Sequence, residues 1–149
     1  MPLYFAYGAN MDVAGMAARC PRSRPLGRAR LARHRFLVMA EGFASVAPDP
    51  RASVHGVLWD LALCDVGALD RFEEISRGLY KKLQLPALRE PLGAARPLVY
   101  VGHWTKPGAP APDYLAGVVA AARFWALPAA YVAHLENLGR AAREGETRS

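Results

Sequence analysis

The N-terminal segment constrains the fold more than any other part of this chain. Apolar and aromatic residues from Leu3 to Tyr7 predict a β-strand, and Gly8–Asn10 predicts a turn that ends the strand abruptly. A helical pattern begins almost at once, at Asp12. Such a junction leaves backbone N–H groups unpaired, and these groups can hold a carboxylate or an oxyanion. An ordinary strand-to-helix turn is the alternative interpretation of this segment.

Length and composition indicate a single domain over residues 1–149, with a frayed tail at 143–149. A chain of 149 residues with 52% hydrophobic residues is large and apolar enough to build its own core. No run approaches the ~20 apolar residues of a membrane span. The N-terminus also lacks the basic and apolar regions of a signal peptide. We therefore expect a cytoplasmic protein with no membrane partner.

The cysteines and histidines show no metal-ligand spacing. Cys20 and Cys64 form no CxxC motif, so we expect free thiols in a reducing compartment. The four histidines are scattered, and no pair sits at ligand spacing on one helix or strand. The sequence therefore predicts no metal site.

A cluster of arginines raises the question of a nucleic-acid partner. The net charge is +6, and six arginines lie between Arg22 and Arg35. Pro25 and Gly27 interrupt the cluster, no aromatic residues are interleaved with it, and no DNA-binding motif follows. From Arg28 onward apolar and basic residues partly alternate, which is typical of a strand with one solvated face. We expect a solvated face first, a basic rim for an acidic small molecule second, and no nucleic-acid partner.

Strand patterns outnumber helix patterns, which predicts an α+β domain with a mixed or barrel-like sheet. The predicted strands cover residues 3–7, 27–39, 54–60, 80–88 and 96–104. The predicted helices cover residues 12–19, 63–72, 113–124 and 128–142. We expect loops around Pro48 and Pro50 and over residues 107–112. The apolar stripes of the last two helices can pack internally or form a homodimer interface.

Glu73 is the candidate for acid–base chemistry. Val66 and Leu69 mark the apolar stripe of the predicted helix, and Glu73 follows them by seven and four residues, on the same face. Burial on that face would raise the pKa of the carboxyl toward neutral pH, where it can both take and give a proton. If the helix ends before Glu73, the group is instead a solvated cap or an ion-pair partner. The pattern alone leaves both interpretations open.

Three short motifs, in order, resemble the gamma-glutamylcyclotransferase family and its AIG2-like relatives. That family carries a Tyr-Gly-Ser-Asn turn after the first strand, and this chain has Tyr7-Gly8-Ala9-Asn10 there. The family's Leu-Asp-x-x-Glu segment and following Gly-x-Tyr are matched by residues 69–73 and 78–80. Residues 55–59 are similar to its Gly-x-x-Trp strand. The resemblance covers the chain from Leu3 to about Leu138 and implies a small β-barrel with flanking helices.

The resemblance implies a cofactor-independent enzyme that converts a gamma-glutamyl amino acid or amine into 5-oxoproline and a released amine. Glu73 falls where the family places its catalytic glutamate, which serves as general acid and base. Backbone N–H groups of the turn would stabilise the oxyanion. The implied substrate-binding residues are Tyr4, Phe5, Ala6, Tyr7, Gly8, Ala9, Asn10, Tyr80 and Tyr114. Packing is the alternative role of the two later tyrosines, and holding the turn in place is that of Asn10.

Ala9 departs from the family pattern, which commonly has Ser at this position. If the serine acts through its backbone, Ala9 costs little, whereas a lost hydroxyl bond to a charged group is worth about 1.5–3 kcal/mol. Ala9 therefore keeps open a second hypothesis, a non-catalytic small-molecule binding module on the same scaffold. A third hypothesis is an acid–base hydrolase that uses Asp70 with Glu73. It requires both carboxylates to face one pocket, although Asp70 is expected about 60° away on the helix.

Overall fold

A seven-stranded mixed sheet dominates the computed structural model, which describes residues 2–73, 78–103, 106–111 and 113–147. The strands are β1 (Leu3–Ala6), β2 (Arg24–Val38), β3 (Ala44–Asp60), β4 (Tyr80–Gln84), β5 (Ala87–Arg89), β6 (Ala94–Ala95) and β7 (Leu98–Gly102). Their order across the sheet is β4-β7-β1-β3-β2-β5-β6. The β1–β7 pair is parallel and the remaining pairs are antiparallel. The predicted α+β class with a mixed sheet is confirmed.

Strand β1 lies inside the sheet, between β3 and β7. Tyr4 pairs with Trp59 of β3 on one side and with Leu98 of β7 on the other. Tyr4, Phe5 and Ala6 are at most 3% exposed, so both faces of the strand are covered. A strand buried on both faces needs a continuous apolar run instead of an alternating one. This explains why the short segment after Pro2 is apolar throughout.

Strand β3 runs through Pro48 and Pro50, where we predicted a loop, so that prediction was wrong. The β2–β3 ladder pairs Ala32 with Ser53 but His34 with Pro48, so β3 contributes extra residues at a bulge. Proline has no backbone N–H to donate to the ladder. It is tolerated at a bulge because the extra residues there are left unpaired. The sequence alone does not distinguish a proline in a β-bulge from a proline in a loop.

The basic segment of β2 has the alternating burial that was predicted for a strand with one solvated face. Ala29 and Leu31 are buried, at 2% and 0% exposure, whereas Arg30 and Arg33 are exposed. Arg28 forms an ion pair of 2.9 Å with Glu90 at the neighbouring edge. The arginines of this strand therefore lie on its outer face and not in the core.

The predicted strand over residues 80–88 is two strands with different partners. β4 pairs with β7, whereas β5 pairs with β2 on the far side of the sheet and with β6. The break falls at Leu85 and Pro86 because proline cannot continue the ladder. Strand β7 ends at Gly102, and Trp104, the predicted strand end, lies outside the described residues.

Four α-helices accompany the sheet in the described part of the chain. They are α1 (Val13–Arg19), α2 (Val66–Phe72), α3 (Tyr114–Phe124) and α4 (Ala129–Thr147). The Asp12 side chain caps α1 by accepting a 3.0 Å hydrogen bond from the Gly15 N–H, as its position suggests. Helix α4 continues to Thr147, so the frayed tail predicted from 143 was placed too early. Its Ala, Arg and Glu residues favour helix and extend it.

The apolar stripes of α3 and α4 pack into the chain's own core. Leu115, Val118 and Ala122 of α3 and Leu135 of α4 are at most 5% exposed and belong to the central hydrophobic cluster. The stripes are therefore covered without a second copy, and the homodimer stays a prediction. Cys20 is buried and Cys64 is exposed, and both are free thiols. Over the described ranges, no helix has both the length and the apolar character needed to cross a bilayer.

The sheet curls into a half-barrel, and side chains bridge its ends where β3 begins. The Tyr80 hydroxyl on β4 donates a 2.6 Å hydrogen bond to the Ala44 carbonyl. The Gly102 N–H at the end of β7 donates a 2.9 Å bond to Ser45 Oγ. These bonds join β3 to β4 and β7, although other strands separate them in the ladder order. The curl encloses the space beside the β1 turn.

Candidate active site

A cavity of about 190 Å³ lies beside the turn that follows β1. Its walls come from that turn, the start of β3, the end of α2, strands β4 and β7, and the start of α3. The lining residues are Tyr4, Tyr7, Gly8, Ala9, Asn10, Phe43, Ala44, Phe72, Glu73, Leu79, Tyr80, Tyr100 and Tyr114. Side chains far apart in the sequence thus meet around one enclosed space.

Two of the predicted site residues do not line this cavity, and eight do. Phe5 points away from Tyr4 because successive side chains of a strand alternate between its faces, and its ring packs 6.3 Å from that of Tyr7. Ala6 is buried in the strand pair opposite Val57. The placement of Phe5 and Ala6 at the pocket was therefore wrong.

The turn after β1 is a 3₁₀ turn over Ala9–Met11 that brings backbone close to Tyr114. A Cβ added at Gly8 would lie 2.7 Å from the Tyr114 hydroxyl oxygen, so only glycine leaves room for it. That hydroxyl accepts a 3.3 Å hydrogen bond from the Ala44 N–H, and the Ala9 N–H also faces it.

Tyr114 is half-buried, and within the described part of the chain no group accepts its hydroxyl proton. Burial raises the pKa of this phenol to about 12, despite the two backbone donors that favour its ionised form. The group therefore stays protonated at neutral pH. Its proton is available to an oxygen atom placed in the cavity.

Glu73 stands at the C-terminal end of α2 and faces the cavity. Its N–H donates a 2.9 Å hydrogen bond to the Leu69 carbonyl, so the helical backbone does reach it, as the apolar stripe predicted. Burial raises the pKa of the carboxyl to about 7, and the Arg19 charge and a hydrogen bond with Tyr4 oppose that rise. Glu73 is thus the half-buried C-cap residue of α2, and its carboxyl lies at the cavity.

Asn10 contacts the Glu73 carboxyl, a contact that sequence reasoning missed. Asn10 is 2% exposed, and its Nδ2 donates to the Tyr4 hydroxyl at 3.0 Å and to Glu73 Oε1 at 3.4 Å. The two roles expected for Asn10 were substrate binding and holding the turn in place, and neither includes a bond to Glu73. The turn conformation itself directs the amide across to α2, and no local pattern shows a contact between residues so far apart in the chain.

The other tyrosines use their hydroxyl protons to shape the cavity. Tyr7 donates to the Tyr100 carbonyl and Tyr80 donates to the Ala44 carbonyl. Burial raises the pKa of both phenols above the usual value. These bonds tie the turn to β7 and β4 to β3, so the two residues act on the cavity mainly through its shape.

Asp70 turns away from the cavity, which contradicts the hydrolase hypothesis. Its carboxylate accepts hydrogen bonds from Lys82 Nζ, at 3.0 and 3.1 Å, and from the Tyr100 hydroxyl. It does not line the cavity that Glu73 faces. Two carboxylates therefore do not share one pocket, and Asp70 anchors Tyr100 in place.

Five lining residues were not predicted at all, namely Phe43, Ala44, Phe72, Leu79 and Tyr100. Phe72 and Leu79 directly precede Glu73 and Tyr80, so their adjacency to predicted residues was the available signal. Phe43 packs edge-on against Tyr114, with ring centroids 5.2 Å apart. No sequence signal places Phe43 there, because the contact depends on the curl of the sheet.

In the described part of the chain, no group of three or more His, Cys, Asp or Glu side chains is arranged so that it could bind a metal ion. The cavity instead combines one near-neutral carboxyl, buried hydroxyls and backbone N–H groups. Such a set can transfer a proton and stabilise a developing negative charge on oxygen.

The comparisons with known proteins agree with this fold. The sequence profile of the AIG2-like family matches residues 53–135, more than half of the chain. The chain therefore belongs to the AIG2-like family, and the resemblance predicted from its motifs is confirmed. No curated protein sequence matches it.

Solved structures with this fold include a gamma-glutamyl cyclotransferase. It matches with a TM-score of 0.84 and 22% identity, over 91% of this chain and 86% of that one. An uncharacterized protein from Homo sapiens matches with a TM-score of 0.82 and 23% identity, over 90% and 85% of the two chains. An AIG2-like protein from Mus musculus matches with a TM-score of 0.58 and 19% identity, over 77% and 82%. At these identities the likeness establishes the fold.

Proposed function

We propose that this protein is a cofactor-independent gamma-glutamyl cyclotransferase. Its substrate would be a gamma-glutamyl amino acid or amine, and its products 5-oxoproline and the released amine. The observation that carries the proposal is the half-buried Glu73 carboxyl, with a pKa of about 7, facing an enclosed cavity. The likeness to a solved gamma-glutamyl cyclotransferase supports the same reaction class.

The reaction is an intramolecular aminolysis, and Glu73 would move its protons. The α-ammonium of the glutamyl group gives a proton to the Glu73 carboxylate. The free amine then attacks the γ-carbonyl carbon, which forms the ring C–N bond and an oxyanion. The new ring nitrogen is cationic at this stage. As the oxyanion collapses, the bond to the leaving nitrogen breaks and Glu73 returns the proton to that nitrogen. The ring nitrogen then gives its surplus proton to the Glu73 carboxylate, which releases it to the solvent, and 5-oxoproline with a neutral ring amide remains. A carboxyl with a pKa near 7 is suited to these transfers at neutral pH.

The cavity would supply orientation and charge stabilisation. Closing a five-membered ring needs the amine held against its own side-chain carbonyl, and an enclosed pocket restricts the substrate to such folded conformations. The Tyr114 hydroxyl would donate its proton to the oxyanion, supported by the backbone N–H groups that face it. In this arrangement Ala9 acts through its N–H, so the absence of a serine hydroxyl there is tolerated.

The test is 5-oxoproline release from a panel of gamma-glutamyl dipeptides and gamma-glutamyl amines. Wild type should release it from at least one member, and Glu73→Gln should abolish release. Glu90→Gln is the matched control, because that carboxylate is exposed and pairs with Arg28 away from the cavity. The kcat/KM of wild type should fall as the pH drops below about 7, since protonated Glu73 cannot accept the ammonium proton.

Two results would contradict the proposal. Release of 5-oxoproline that persists in Glu73→Gln would show that Glu73 is not the general acid and base of the reaction. No release from any panel member, combined with measurable binding of 5-oxoproline or glutamate, would favour the non-catalytic binding module.

A further inference from the structure

Arg19 contacts the candidate site from outside the cavity. It is the last residue of α1, and its Nε donates a 2.9 Å hydrogen bond to Asn10 Oδ1. Its guanidinium carbon lies 4.0 Å from the ring centroid of Phe72, the residue before Glu73. Arg19 is not among the residues that line the cavity. It therefore joins the β1 turn to the end of α2 without occupying substrate space.

The bond from Arg19 fixes which way the Asn10 amide points. A guanidinium can only donate hydrogen bonds, so the amide atom facing it must be the oxygen. The amide NH₂ group then has to face Tyr4 and Glu73, where it donates to both. The reversed amide would set its oxygen against the Glu73 carboxylate and its NH₂ against the guanidinium donors. Arg19 thus ensures that the Asn10 group facing Glu73 is the NH₂, which donates a hydrogen bond to the carboxyl.

Gly15 leaves the space in which the Arg19 guanidinium lies. A Cβ added at Gly15 would be 2.9 Å from Arg19 Nη2. Glycine is a weaker helix former than alanine. Here it allows the side chain to fold back along α1 toward Asn10.

We propose that Arg19 is a positioning residue for Glu73, which it orients through the Asn10 amide and stabilises in the ionised form by its charge. The catalytic consequence rests on the function proposed above, whereas the effect on the carboxyl does not. Arg19 touches neither the cavity nor a reacting atom, so it acts only through its neighbours.

The charges and titratable groups around Glu73 set the expected direction of change. Arg19 approaches from α1, and tyrosines face Glu73 from the other packed elements, namely Tyr4, Tyr7, Tyr80, Tyr100 and Tyr114. Burial raises the pKa of Glu73, and the Arg19 cation holds it down to about 7. The tyrosines stay neutral at that pH because burial raises the pKa of each of them as well. Removing Arg19 should therefore raise the pKa of Glu73.

The experiment is an NMR titration of protein labelled with δ-¹³C glutamate. The signal missing from Glu73→Gln identifies the Glu73 carboxyl. Arg19→Met should move its midpoint upward by at least about half a pH unit, a threefold change in proton affinity, since a nearby opposite charge shifts a carboxyl by about 1–3 units. Arg19→Lys keeps the charge, so its Glu73 midpoint should lie close to that of wild type. The acidic limb of the kcat/KM profile should move with the midpoint.

Arg123→Met is the matched control, because Arg123 also lies in the last turn of a helix and pairs with Glu136 away from the cavity. It should leave the Glu73 midpoint unchanged. Near-UV circular dichroism checks folding, and Arg19→Gln replaces Arg19→Met if the latter does not fold. An unchanged midpoint in the neutral Arg19 variant overturns the proposal. A shifted midpoint supports it even if no variant releases 5-oxoproline, in which case only the proposed function fails.

Discussion

Replacing Glu73 with glutamine should stabilise the protein at alkaline pH and not at acidic pH. Burial raises the pKa of this carboxyl from 4.5 to about 7 in the folded protein. Between those values the folded state binds a proton that the unfolded state has released. Stability is therefore lost as the pH rises from about 4.5 to about 7, and the cost stays constant above that range.

The magnitude follows from the size of that rise. One unit of pKa difference between the folded and unfolded states corresponds to about 1.4 kcal/mol. The rise from 4.5 to about 7 thus costs wild type roughly 3 kcal/mol above pH 7. Glu73→Gln has no charge to bury and avoids this cost. Its advantage over wild type should be near its full value at pH 8 and small at pH 5.

Urea unfolding at pH 5, 6, 7 and 8 measures the difference, with free energies from linear extrapolation. Glu90→Gln is the control, because it makes the same exchange of a carboxylate for an amide at an exposed site away from the cavity. If wild type and Glu73→Gln lose stability in parallel from pH 5 to pH 8, the carboxyl is not desolvated in the folded protein. The assignment of Glu73 as a near-neutral acid–base group would then be refuted.

Three further substitutions test other parts of the structure. Gly56→Ala should cost at least about 2 kcal/mol in urea unfolding, because its Cβ would lie 2.2 Å from the Ala6 carbonyl oxygen, which cannot move within the strand pair. Tyr114→Phe should lower kcat/KM for 5-oxoproline release about a hundredfold, since it removes the oxyanion donor and the acceptor of the Ala44 N–H. Unchanged kcat/KM would exclude that role. Leu92→Ser should change the unfolding free energy by less than about 0.5 kcal/mol, because Leu92 is 87% exposed.

Local features of the structure could be predicted from local pattern. The strand, turn and helix from Leu3 to Arg19 occur as expected, because the apolar run and the Gly8 break act within a few residues. The face of α2 that carries Glu73 also followed from the 3.6-residue period through Val66 and Leu69. Both features depend on neighbours in the chain.

The features that were missed depend on contacts between distant segments. The bulge that admits Pro48 into β3 exists only opposite β2, and the contact of Tyr114 with the β1 turn depends on where α3 packs. Tyr100 was expected in a strand, but its place in the cavity depends on the parallel pairing of β7 with β1. A pattern read along one strand contains no information on the register of its partner.

Strand β1 precedes both of its sheet partners in the chain, and its pairing with β7 joins segments that are far apart in sequence. Its turn contacts Glu73 across a separation of 63 residues, and Tyr7 reaches Tyr100 across 93. Contacts of such long range form slowly, because a large loop must close before they contribute. During synthesis β1 can pair with β3 once Asp60 has emerged, but its other edge stays open until β7 follows. The cavity has no complete wall until Tyr114 has left the ribosome. A chain terminated after β7 would contain Glu73, Asn10 and Arg19, yet it would expose an unfinished hydrophobic pocket and become a target for aggregation and quality control.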